Sequence, residues 1–173
     1  MKQIKFFSVI VSALFSLQLI TQTASAQKTD SLTWYTDLKK ANEVSKSTGK
    51  PIFALFTGSD WCIWCKRLEQ NVFAKAEFVE WAKKNVVLLK LDFPRNKPQS
   101  AELKAQNRDL QQQFKIEGYP TVWIFFLTMD EKAKQITIDP LGSCGYPQNP
   151  PAGQEQVKFL EEANAILNSK SKK

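Results

Sequence analysis

The sequence predicts an α/β fold, a small mixed central sheet flanked by helices on both faces, and three observations carry that prediction. Residues 52–57, 86–92 and 121–127 are short, mostly apolar runs, and the unbroken one over 52–57 has the pattern of a strand buried on both faces. Between them lie segments whose apolar residues recur at helical spacing. A Cys-x-x-Cys pair, Cys62 and Cys65, stands where the first apolar run passes into a helix. Open α/β sheets place their ligands outside the carboxyl ends of such strands.

Taken in order, Trp34 and Tyr35 read as a short edge strand. Residues 37–48 form a helix with Leu38, Ala41 and Val44 on one face and Gly49 just past its end. Pro51 opens the strand over 52–57; Gly58 and Ser59 make the turn after it, and Asp60 is placed to cap the next helix. That helix starts near Cys62, runs through Leu68, breaks around Asn71 and resumes over 75–84. The strand over 86–92 leads into a loop over 93–100 with two prolines. Residues 101–114 form a polar helix with Leu103, Leu110 and Phe114 inward, and 118–120 is a turn. The strand over 121–127 precedes a half-exposed strand over 134–139, with Ile136 and Ile138 on one face. Four Pro and three Gly make 140–153 a loop. A helix over 154–168 closes the fold with Phe159, Leu160, Ala163, Ile166 and Leu167 inward. Right-handed crossovers set the first two buried strands side by side and parallel, and the last two strands are close enough for a hairpin.

The 173 residues suffice for one domain with a real core, and 43% hydrophobic content excludes a disordered chain. Residues 1–26 read as a secretory signal peptide: Lys2 and Lys5 form the basic start, 6–20 is mostly apolar, and Ala24-Ser25-Ala26 is a small-x-small cleavage site. The expected mature chain is then a single domain over 27–173, with its core over about 33–167, exported to the bacterial periplasm. The apolar run is short and broken by serines, and no later segment is long and apolar enough to cross a membrane, so no membrane span is expected after cleavage. Removal of Lys2 and Lys5 leaves 22 basic residues against 17 acidic ones, much of the excess in the tail over 170–173. No basic stripe interleaves with aromatics, so nucleic acid is not an expected partner. The chain has no His, which removes Cys-His and Ser-His nucleophile arrangements and every His metal site.

The dithiol carries the chemistry. At a helix N-terminus, unpaired N–H groups and the helix dipole favour thiolate over thiol, and the thiolate is the species that attacks a disulfide. Three readings compete with a redox pair. Structural zinc needs four ligands, and only Cys144 remains as a third thiol. An inert staple is poorly served by so short a loop, which gives the least entropic stabilisation. Soft-metal handling, with Cu(I) held by Cys62, Cys65 and Cys144, is the third. Cys144 itself reads as a free or partly buried thiol, or as an accessory thiol that pairs with Cys62 or with a partner.

The segment Trp61-Cys62-Ile63-Trp64-Cys65-Lys66 at a strand–helix join, the segment Phe114-Lys115-Ile116-Glu117-Gly118-Tyr119-Pro120-Thr121, and the element order together resemble the thioredoxin-fold family. Trp34-Tyr35-Thr36-Asp37 and Lys50-Pro51 are similar to the exported thioredoxin-like proteins, and the C-terminal domain of the bacterial transmembrane disulfide reductase is a similar unit. The resemblance spans about residues 33–167. It implies that Cys62 is the attacking, more exposed thiol, that Cys65 resolves the mixed disulfide, and that Pro120 is a cis-proline against the sulfurs. By the same resemblance the backbone at Tyr119 would pair with a substrate strand, and Trp61, with Ile63 and Trp64, would flank the site. Two departures matter. The family's buried Asp before the motif is replaced by Leu55 and Phe56, leaving proton transfer to water, to Asp60 or to another group. The dipeptide Ile63-Trp64 contains no His and no cation, which places the Cys62 pKa nearer the reducing end of the family.

The expected function is thiol–disulfide exchange with protein substrates through Cys62 and Cys65, more readily as reductant. It needs no metal or organic cofactor, is fed by a membrane electron donor, and is carried out by a monomer. The alternative is a redox-inert thioredoxin-fold binding module or chaperone.

Overall fold

The computed structural model describes residues 32–130 and 135–169. The segment read as a signal peptide, its Ala26 cleavage site and the basic tail lie outside the described residues. Strand β1 (Trp34–Tyr35) leads to helix α1 (Leu38–Thr48), which Asp37 caps by accepting a hydrogen bond from the Lys40 amide at 3.0 Å. Strand β2 (Ile52–Thr57) then feeds helix α2 (Ile63–Leu68), a π-helical turn (Glu69–Phe73) and helix α3 (Ala76–Asn85). Strand β3 (Val87–Asp92), helix α4 (Ala101–Gln113), strands β4 (Thr121–Asp130) and β5 (Gln135–Gly145), and helix α5 (Glu155–Asn168) complete the order.

The sheet order is β1-β3-β2-β4-β5, so β2 is central. It pairs parallel with β3, from Ile52 opposite Val87 to Thr57 opposite Asp92, and antiparallel with β4. Because strand side chains alternate between faces, β2 supplies both halves of the core. Phe53 and Leu55 point into one cluster with Leu68, Phe73, Phe78, Trp81 and Phe159 from α2, the π turn, α3 and α5. Ile52, Ala54 and Phe56 point into the other, with Leu38, Ala41, Leu110 and Phe114 from α1 and α4. Every residue of β2 is buried, which is why its sequence reads as an unbroken apolar run.

Two expectations are corrected. The helix does not break at Asn71 but passes through a π-helical turn in which the Ala74 amide reaches back to the Glu69 carbonyl at 2.9 Å, and the break falls at Lys75, whose extended backbone starts α3. The first half of the expected loop over 140–153 is strand: β5 runs on to Gly145. Pro140 is tolerated because β5 is an edge strand and the pairing shifts there, with Ile124 opposite Gly142 and Phe125 opposite Pro140. Gly142 marks a close approach, since a Cβ there would lie 3.1 Å from the Ile166 side chain of α5. The Pro and Gly that suggested a loop mark a bulge and a helix contact inside a strand.

Candidate functional site

β2 ends at Thr57, and a tight turn carries the chain into α2: the Cys62 amide donates to the Gly58 carbonyl at 2.9 Å. A Cβ on Gly58 would fall inside the Trp61 indole, so glycine lets that ring fold back over the turn. The ring is then fixed by its Nε1–H, which donates to the Phe93 carbonyl at 2.8 Å. The turn is tied to β3 as well. Asp92, paired with Thr57 in the sheet, accepts from the Ser59 amide at 2.9 Å and from the Ser59 hydroxyl at 2.6 Å.

Cys62 occupies the N-cap of α2 with extended backbone, and its Sγ accepts a hydrogen bond from the Cys65 amide at 3.1 Å. The expected cap, Asp60, does not fill that role. Its carboxylate accepts instead from the amides of Arg95 (3.1 Å) and Asn96 (2.7 Å), which hold it below the usual carboxylate range. Asp60 thus anchors the loop after β3 to the turn, while sulfur takes the capping position.

Cys62 and Cys65 form a disulfide with Cα atoms 5.3 Å apart. Their residue exposures are nearly equal, 6% and 5%, so the oxidised pair shows no more exposed member. Cys62 Sγ lies 3.7 Å from the Tyr119 carbonyl oxygen. A disulfide sulfur has no proton to give, so in this state the approach is a contact; the reduced thiol has a proton to donate in that direction. The Tyr119–Pro120 peptide bond is cis. Tyr119 is held from three sides: its hydroxyl accepts from Gln111 Nε2 at 2.8 Å, its ring meets Trp61 edge-on at 5.7 Å, and Phe93 lies at 5.3 Å. Burial raises its phenol pKa.

Ile63 and Trp64 project outward, 58% and 47% exposed, beside a buried disulfide. Trp64 leans on Tyr146 at 5.2 Å, and the Tyr146 hydroxyl accepts from Asn71 Nδ2 at 3.2 Å. A groove of about 600 Å³ runs from Trp64 past Tyr119 and Pro120 to the segment over 145–150 and Glu162. The structure therefore gathers Asp60, Trp61, Cys62, Ile63, Trp64, Cys65, Tyr119 and Pro120 around one disulfide. Sequence reasoning missed Asp92, Arg95 and Tyr146. A carboxylate ending an apolar run and an aromatic within a Gly/Pro-rich stretch were the available signals.

Cys144 is a free thiol in β5, opposite Val122, and packs against the α2–α3–α5 core. Burial first, and the Glu162 charge second, push its pKa up to about 12. Among the described residues no cluster of three or more His, Cys, Asp or Glu side chains is placed to hold a metal ion. Among them, too, no helix is long and apolar enough to cross a membrane.

The Thioredoxin-like family pattern matches residues 33–126. The disulfide bond reductase DsbH of Chlamydia pneumoniae is 32% identical over 107 residues, 62% of this chain and 64% of that protein. The thiol:disulfide interchange protein DsbD of Actinobacillus pleuropneumoniae serotype 5b is 30% identical over 126 residues, 73% of this chain and 17% of that protein. The chain thus spans just under two thirds of the first relative's length and a small fraction of the second's. A solved DsbH oxidoreductase structure superposes with a TM-score of 0.63 at 27% identity, covering 79% of this chain and 85% of that one. With the family pattern covering more than half of its residues and the same fold around its paired cysteines, this chain belongs to the thioredoxin-like family.

Proposed function

We propose that this chain is an exported thiol–disulfide oxidoreductase that reduces protein disulfides in the bacterial periplasm through Cys62 and Cys65. The observation that carries the reading is the Cys62–Cys65 disulfide at the start of α2, with Cys62 Sγ accepting the Cys65 amide. The same N–H that caps the helix stabilises a thiolate on Cys62 once the bond is opened.

In the reaction, the Cys62 thiolate attacks one sulfur of a substrate disulfide. The substrate S–S bond breaks, its leaving thiolate takes a proton, and a mixed disulfide forms. Cys65, deprotonated, then attacks Cys62 Sγ; the Cys62–Cys65 bond forms and the second substrate sulfur leaves as a thiol. Two electrons pass from the dithiol to the substrate, and the two protons its thiols take up come from solvent, which receives the Cys65 proton. The Tyr119 carbonyl and Pro120 position the incoming sulfur, and Trp61, Ile63 and Trp64 supply the surface on which the substrate chain rests. Asp60 acts as an anchor, because its lowered pKa makes it a poor proton acceptor; the Cys65 proton goes to water. No metal or organic cofactor enters these steps. The working unit is a single domain over 27–173, active as a monomer, and a membrane electron donor returns the disulfide to the dithiol in an oxidising compartment. The reducing direction is supported by the Ile63-Trp64 dipeptide, which brings neither His nor cation between the sulfurs, and by the similarity to a disulfide bond reductase.

The test is insulin reduction with dithiothreitol as electron source, together with Cys65→Ser expressed in cells. The wild type should turn over insulin catalytically, and the variant should hold partners covalently trapped on Cys62. A protein that neither turns over insulin nor traps partners would be a redox-inert binding module.

A further inference from the structure

The two indoles that flank the disulfide each carry an arginine. The Arg95 guanidinium lies over Trp61 at 4.0 Å from the ring centroid, and that of Arg67 over Trp64 at 4.7 Å. Both arginines are exposed, and neither pairs with a carboxylate among the described residues. Stacking occupies the face of a guanidinium and leaves its N–H edge available, and that edge matches a carboxylate with two parallel hydrogen bonds. The stacked rings also hold the two side chains in place, so less rotamer freedom is lost when they engage a partner.

The carboxylates nearby are already engaged. Asp60 is taken by the amides of residues 95 and 96, and Glu69 lies 3.8 Å from Lys90. Lys66 and Lys97, both exposed, add to the positive side: Lys66 Nζ sits on the Asp60 carbonyl at 3.1 Å, and the Lys97 charge is felt by the Asp60 carboxylate. The exception is Glu162, which lines the groove beyond Pro120. An acidic side chain entering the groove would meet Glu162, so the acidic residues of a partner belong against the arginines.

We propose that Arg67 and Arg95 make this site selective for acidic segments of protein substrates, binding Asp or Glu residues that flank the substrate disulfide. The proposal rests on the oxidoreductase reading above and adds the class of substrate. Its physical basis is charge complementarity, which raises encounter rates and fades as salt screens it.

The experiment uses two disulfide-bonded peptides of equal length and cysteine spacing, one flanked by Asp and Glu, the other by Lys and Arg. The reduced protein is mixed with each, Trp fluorescence follows the rate, and each rate is divided by that of the uncharged reductant dithiothreitol with the same peptide. The acidic peptide should react on the order of tenfold faster at low salt, with the ratio falling towards one near 1 M salt. The ratio should also fall in Arg67→Gln and invert in Arg67→Glu/Arg95→Glu. Equal rates, a faster basic peptide, or a preference that salt does not touch would overturn the proposal while leaving the oxidoreductase reading intact. Reduction of neither peptide would overturn both. The single variant Arg67→Gln decides the matter even if the double variant fails to fold: an unchanged ratio there would assign the preference to the net positive charge of the chain and overturn the proposal.

Discussion

Cys62 and Cys65 stand at the start of a helix, bonded to each other, with a backbone amide aimed at one sulfur. Cys144 stands in the middle of a strand, unbonded, against apolar side chains and near the Glu162 charge. Exposure does not mark the reactive pair, because Cys62 and Cys65 are buried and Cys144 is only partly buried. What separates them is the direction of nearby dipoles and charges. An N–H pointing at sulfur favours the thiolate; an apolar wall and a carboxylate disfavour it. One residue type thus yields a candidate nucleophile in one place and an inert filler in another.

The strongest way to break this comparison is to exchange the sulfurs' fates. Cys62→Ser should lower insulin reduction to the uncatalysed rate, whereas Cys144→Ser should leave it near that of the wild type. Loss of activity in the Cys144 variant, with its fold intact by circular dichroism, would contradict the division of roles. Next in size is the support under Cys62. Gly58→Ala puts a methyl group where the Trp61 indole lies and should cost about 1–3 kcal/mol of stability, with slower turnover. Gly118→Ala, whose Cβ would meet nothing within 4 Å, is the matched control and should cost much less. Denaturant midpoints compare the two. Asp92→Ala removes both acceptors of Ser59 and should cost about 1–2 kcal/mol, read the same way.

The last comparison is a pH dependence, which develops only in alkaline solution. In the folded protein Cys144 keeps its proton up to about pH 12, while the unfolded chain releases it near its ordinary value of 9.0. Below pH 9 both states hold the proton and nothing is lost. Between about 9 and 12 the unfolded state binds fewer protons, so stability falls as pH rises. Cys144→Ala should lose less stability than the wild type across that window, measured by urea unfolding at stepped pH.

Much of this molecule is written locally. Residues 52–57 must be a central strand because each of them is apolar or small enough to be buried, and the helix after Cys62 follows from its own periodicity. The Trp61–Lys66 motif sits where local signals end one element and start the next. What the sequence hides is non-local. Pro140 and Gly142 read as loop residues, yet the bulge opposite Ile124 and Phe125 and the approach of Ile166 make them strand residues. That misplacement also hid the setting of Cys144. Asp60 looked like a cap because Asp caps helices well, but the amides of Arg95 and Asn96, 35 and 36 residues away, claim its carboxylate. The Asp92–Ser59 pair and the Arg95–Trp61 stack likewise join segments that only the β2–β3 pairing brings together.

If Cys62 and Cys65 are a working redox pair, their bond opens and closes reversibly in a reducing range. Equilibrating the protein in glutathione and dithiothreitol buffers, with Trp fluorescence as readout, tests it directly, since Trp61 and Trp64 flank the pair. A reversible two-electron transition is expected near −270 mV, about the thioredoxin end of the scale, and should disappear in Cys62→Ser. A pair that never equilibrates would contradict redox activity altogether, and a transition near −120 mV, about the strongly oxidising end, would contradict the reducing direction.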